Sequence, residues 1–176
     1  MTNVLLKFKL HKLNFLQQNR GYTLIEILVG MSIFALVFLL GFASYREFAR
    51  RQALAGVARS MRGDIRFAQE LALAGKKPAS GCGVLRGYYF VSSPPSSYEI
   101  SAYCDTGVVL EKRVDLVLGI TLSGMAPDLT PSNTILFKAL GAGTNIPAGS
   151  STIITLSQTD IGNTAIVTVT TGGEIR

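Results

Sequence analysis

From position 22 to position 45 the chain is apolar and carries a single charge, Glu26, near the start of the run. In a helix rising about 1.5 Å per residue this segment makes roughly 36 Å, enough to cross a hydrocarbon core of about 30 Å. Between 44 and 74 the pattern changes. Leu54, Val57, Met61, Ile65, Ala68 and Ala72 recur every three or four positions, while Arg46, Arg50, Arg59, Arg62 and Arg66 mark the wetter sides. No proline precedes Pro78 within this helix, Glu47 can pair with Arg51 at i, i+4, and Gly75 follows the stripe as a stop signal. One helix is therefore predicted from the apolar run to about residue 75.

Beyond residue 80 short runs rich in Val, Ile, Tyr, Phe and Thr predict strands at 84–91, 98–103, 108–118, 134–140, 152–157 and 164–170. The run 92–97, Ser-Ser-Pro-Pro-Ser-Ser, joins the first pair as a hairpin loop, and 142–151 is a long Gly-rich loop. This region is long enough to bury a core of its own against the helix stripe. The fold class expected is α+β, a long N-terminal helix packed on a C-terminal antiparallel β-sheet head. The segments are 1–21 as a leader, 22–45 as a membrane-spanning half helix, 46–75 as its amphipathic half and 80–176 as the head.

Charge sharpens this division. The whole chain is formally +6 from 17 basic and 11 acidic residues. Lys7, Lys9, Lys12 and Arg20 precede position 21 with no acid among them, so 13 basic and 11 acidic residues, +2, remain from Tyr22 onward. Positive charge before a span holds that end in the cytoplasm and sends the C-terminal part across. The high pI is largely a leader effect and argues little for nucleic acid.

Glu26 is the residue that chemistry singles out. An acid in mid-bilayer costs about 2.5 to 3.5 kcal/mol, so a lone carboxylate in a span needs a partner or a purpose. The stretch Gly21-Tyr22-Thr23-Leu24-Ile25-Glu26-Ile27-Leu28-Val29 resembles the class III signal of type IV prepilins and pseudopilins: a basic leader ending in Gly, an aromatic residue, and Glu five residues after the cut. Tyr22 stands where many members have Phe. The resemblance implies cleavage after Gly21 by a membrane-embedded prepilin peptidase, methylation of the new Tyr22 amine, and assembly through Glu26. In low dielectric the amine of one subunit and the carboxylate of its neighbour would satisfy each other and set axial register. Two plainer readings stand beside it. Glu26 can snorkel to the membrane surface, or the segment is an ordinary signal peptide cut before Ser44, after Gly41-Phe42-Ala43.

The head resembles, more loosely, H-type pseudopilins and FimT-like minor pilins. The residues that carry this are Arg62, Arg66, Ala68, Glu70 and Ala72, then Ile135-Leu136-Phe137, then 152–156, then 167–176. Some FimT-like proteins bind DNA through a terminal Gly-Arg-x-Arg element, where two arginines neutralise phosphates. Here the aligned residues are Gly173-Glu174-Ile175-Arg176, with an acid in place of the first arginine. Lys112, Arg113 and Lys138 offer another basic patch or simply a solvated strand face.

Cleavage would also remove His11, the only histidine, and no Gly-rich phosphate loop or HExxH segment is present. The chain therefore reads as a non-enzyme with no cofactor and no metal. Cys82 and Cys104, the only cysteines, flank the first hairpin. In an oxidising exterior a bridge between them would close a loop of about 23 residues, worth roughly 3 kcal/mol in the chain-entropy model; two free thiols are the alternative.

The sequence thus predicts a structural subunit, most like a minor pilin or pseudopilin, anchored in the cytoplasmic membrane with its head outside and then built into a filament. Its expected partners are other pilin or pseudopilin subunits, prepilin peptidase, an assembly platform and membrane lipid. DNA binding by the head, or an exported domain unrelated to filaments, are the alternatives.

Overall fold

The computed structural model describes residues 21–159 and 162–176. The residues before Gly21, expected to form a leader, with their basic side chains and His11, lie outside the described residues. Among the described residues one α-helix, α1, covers Leu24–Leu73, and seven strands follow: β1 Leu85–Ser93, β2 Ser97–Cys104, β3 Gly107–Asp115, β4 Ile120–Ala126, β5 Thr134–Lys138, β6 Ser151–Gln158 and β7 Thr164–Thr170. The chain divides into two compact units, 1–44 and 45–176.

In the first unit the helix starts as the side-chain chemistry dictates. Thr23 is the N-cap: its Oγ1 accepts the backbone N–H of Glu26 at 3.3 Å, and its carbonyl accepts those of Glu26 and Ile27. Thr23-Leu24-Ile25-Glu26 thus has the spacing of a capping box, with an acid in the first turn where the helix dipole favours it. The helix runs through Gly30 and Gly41 without a break. Ser32 and Ser44 donate their hydroxyls to the carbonyls of Val29 and Leu40, so neither polar group is left bare in the apolar stretch.

In the second unit the remainder of α1 lays a stripe into the core. Leu54, Ala58, Met61, Ile65, Ala68, Leu71 and Ala72 are buried at spacings of three and four. Val57, expected in this stripe, is only half-buried, and Ala58 takes its place; the smaller side chain lets the helix approach the sheets. The helix ends in a Schellman motif. Gly75, at φ +59°, donates to Ala72 and Lys76 donates to Leu71, a left-handed turn that glycine adopts without the Cβ penalty.

The strands form two antiparallel sheets rather than one, in the orders β3-β2-β1-β5 and β4-β6-β7. Strand β4 was not predicted. The expected run 108–118 is instead β3, ending at Asp115, plus a link in which Val117 and Leu118 are exposed, and β4 begins after Gly119. The strand slips register between Leu122 and Met125, and Asn133 Oδ1 accepts the Met125 N–H there at 2.9 Å. The β1–β2 hairpin is tighter than expected, with its strands running to Ser93 and from Ser97. Inner faces contribute Tyr88, Phe90, Tyr98, Ile100, Ile135, Ile154, Leu156, Val167 and Val169, all essentially inaccessible, to one core with the helix stripe. The open edge of β7 is closed by the last residues, Thr168 pairing with Arg176 through both backbone bonds, and by Arg62 donating to the Ile166 carbonyl. An edge so covered offers little to another strand.

Cys82 and Cys104 are joined by a disulfide, their Cα atoms 5.4 Å apart, pinning the segment after α1 to the end of β2. Replacing both by serine is expected to cost about 2–5 kcal/mol, read as a lower midpoint in denaturant for the full chain in detergent.

Candidate functional site

Every residue from Gly21 to Phe42 is exposed, Tyr22 to 76 % and Leu24 to 83 %. The apolar half of α1 thus presents its whole circumference outward; it is long and apolar enough to cross a membrane, and among the described residues of its own unit nothing covers it. A helix apolar all round is one that lipid or other protein surrounds. Along one face Phe34, Phe38 and Phe42 stack at successive i, i+4 steps, with ring centroids 6.5 and 6.3 Å apart. The single acid of this surface, Glu26, sits in the first turn, three residues beyond the cap. Sequence reasoning had missed the second role this gives it: Thr23, through the T-x-x-E spacing, makes Glu26 a helix-start residue as well as a buried-charge candidate.

Just beyond the apolar run, Arg51 pairs with Glu47, the i, i+4 pair expected from spacing. Further along, Asp64 was not singled out by sequence, because its partners lie far away in the chain. It accepts the Tyr98 hydroxyl at 2.9 Å and the Lys112 ammonium at 2.6 Å, tying α1 to β2 and β3. Burial, then the hydrogen bond to Asp64, raises the Tyr98 phenol well above its ordinary range.

Three of the basic residues considered for an anionic partner are paired within the head, while Lys138 at the end of β5 is exposed. Lys112 is held by Asp64, and Arg113 by Glu99 at 3.0 Å and Asp115 at 3.4 Å. Arg176 forks onto Glu174, with Nε at 2.8 Å and Nη2 at 3.1 Å from the two carboxylate oxygens. This pairing lowers the Glu174 carboxyl below its usual range and raises the arginine. Gly173 sits at φ +82°, a left-handed conformation that glycine adopts without the Cβ penalty, with the flexible Gln69 amide beside it. The glycine is there for the fold of the last turn. Among the described residues no group of three His, Cys, Asp or Glu side chains is placed to hold a metal.

Two carboxylates organise loops of the head. Asp105 accepts the N–H groups of Val84 and Thr106, and Asp128 accepts those of Asn133 and Leu129 together with the Ser132 hydroxyl. These bonds hold both carboxyls below the ordinary range, led by Val84 for Asp105 and Asn133 for Asp128. A depressed folded pKa gives stability that is present above the unfolded value, about 3.9, and is lost as pH falls through the folded one. The melting temperature of the chain in detergent is therefore expected to fall on acidification below about pH 4, and the Asp105→Asn, Asp128→Asn double variant to show a shallower fall.

Residues 16–42 match the family described as the prokaryotic N-terminal methylation motif. The match takes in Gly21, Tyr22 and Glu26 and most of the exposed apolar helix, and it supports a type IV prepilin-like protein. No curated protein and no solved structure matches the chain.

Proposed function

We propose that the chain is a structural subunit of a type IV pilus, a type II secretion pseudopilus or a competence filament, cut after Gly21, methylated on Tyr22 and assembled through Glu26. The observation that carries this reading is the methylation motif running into the first half of α1, where the one acid up to position 42 is in the first turn and the remaining surface is exposed and apolar. Before assembly lipid covers that surface, with the head outside the cytoplasm. In a filament the helices of other subunits replace lipid. The motif brings in prepilin peptidase as the processing partner, and extraction from the membrane requires an assembly platform. The head, held by its own core and disulfide, is then the part presented outward, and its role is architectural. DNA binding gains no support from the C-terminal segment, where Arg176 is engaged by Glu174.

The test is fractionation. In cells that assemble the filament the processed chain should appear with sheared or pelleted filaments, and without the assembly platform it should stay in the membrane fraction. A processed chain that leaves the membrane equally in both strains would overturn the reading.

A further inference from the structure

Gly21, Tyr22 and Thr23 lie outside α1 and are exposed, and the helix begins at Leu24. The first carbonyl that the helix engages is that of Thr23, which accepts the N–H groups of Glu26 at 3.1 Å and Ile27 at 3.2 Å. Among the described residues no hydrogen bond reaches the carbonyl of Gly21 or of Tyr22. A Cβ at Gly21 would meet nothing within 4 Å, so the peptide bond between Gly21 and Tyr22 is open to approach.

The Thr23 side chain fixes the start at this point. Its Oγ1 takes the Glu26 N–H at 3.3 Å, one of the donors that a helix end leaves without an intrahelical partner. In apolar surroundings no water replaces a lost acceptor, so without this oxygen the first-turn donors turn to the carbonyls one turn upstream. The Ile25 N–H would then bond the Gly21 carbonyl in the ordinary helical pattern, and the bond after Gly21 would become part of the helix. Gly21 is itself a poor helix former, and the cap adds a second brake two residues further on.

We propose that Thr23 is a positioning residue for processing: by capping α1 it keeps the Gly21 carbonyl free and the Gly21–Tyr22 bond unwound for the peptidase. The proposal rests on the reading that the chain is cut after Gly21. Hydrolysis adds water across that bond. The water oxygen joins the Gly21 carbonyl carbon, the bond to the Tyr22 nitrogen breaks, and the products are a carboxylate on the leader and an ammonium on Tyr22. On the way the Gly21 oxygen gathers negative charge that donors of the peptidase have to reach. A helical carbonyl already holds an N–H of its own chain, so a helix drawn back over Gly21 has to open before each cut.

The experiment gives purified, uncleaved full-length chain in detergent to purified prepilin peptidase and follows by mass the rate at which chains beginning at Tyr22 appear. Thr23→Ala and Thr23→Val lose the acceptor, the latter with the shape of threonine kept, whereas Thr23→Ser and Thr23→Asn retain a capping oxygen in a different shape. The expected result is a kcat/KM about fivefold lower for Thr23→Ala and Thr23→Val, the ordinary effect of one lost cap, and within about twofold of the wild type for Thr23→Ser and Thr23→Asn. Equal rates from all five chains, or Thr23→Ser and Thr23→Asn as slow as Thr23→Ala, would overturn the proposal and leave the cut after Gly21 standing. If the wild type is not cut after Gly21, the processing reading fails, and this role of Thr23 with it.

Discussion

Glu26→Ala and Glu26→Gln should both be cut after Gly21 and both drop out of the filament, by at least about tenfold relative to the wild type. The pair of variants separates the charge role proposed for this residue from a role in starting the helix. As the third helical residue after Thr23, Glu26 stands at the capping-box spacing, a position that glutamine fills nearly as well as glutamate. As a charge in an apolar surface it must find a cation on a neighbour, and removing one member of a buried pair costs about 3–5 kcal/mol. A charge role predicts that Gln behaves like Ala. A purely capping role predicts that Gln behaves like wild type and that Thr23→Ala is the harmful change. Immunoblots of sheared filaments against whole-cell protein, with the N-terminal mass recorded for each variant, decide between them.

Gly87→Ala should destabilise the head by about 3 kcal/mol or more, the upper range for overpacking. Gly87 is buried in β1, opposite Tyr103 of β2 and Lys138 of β5. A Cβ there would run into the carbonyl oxygen of Phe137, with Leu136 Cδ1 at 2.9 Å and Lys138 Cα at 3.1 Å behind it. Two of these three are backbone atoms of the paired strand, so no rotamer change relieves the clash, and β5 has to move away from β1. The expected readout is a lower midpoint in denaturant and faster proteolysis within 134–145. By contrast Gly56→Ala, where a Cβ meets open space, should leave stability unchanged or slightly raised, because alanine suits a helix interior better.

The helix was legible because its signals are local and redundant. The uncharged run, the three-and-four spacing from Leu54 to Ala72, the Glu47–Arg51 pair and Gly75 all point the same way, and α1 ends in the turn that Gly75 permits. Val57 packs at the margin of the core and Ala58 inside it, because periodicity fixes a face to within about one residue; which of two neighbours is fully enclosed depends on how close the sheets come. Six of the strands were legible from β-branched and aromatic runs. The seventh, β4, was hidden for a physical reason: its register slip at Ser123-Gly124 interrupts the alternation, while Val117 and Leu118, apolar but exposed, extend the apparent strand before it. That the strands divide between two sheets is set by pairings far apart in sequence, which no local pattern carries.

At the candidate site Gly21, Tyr22 and Glu26 were legible as a motif, since their chemistry depends on neighbours along the chain. Thr23 was available from the same four residues and was overlooked. Asp64 was not available, because only the fold brings Tyr98 and Lys112 to it.

The central claim is that this chain is a processed filament subunit, and the most direct measurement is the N-terminal residue and mass of the protein extracted from membranes of cells with and without prepilin peptidase. The account predicts a chain beginning at Tyr22 with one added methyl group, seen only when the peptidase is present. A chain that begins at Ser44, or that keeps its first 21 residues in both strains, would contradict it.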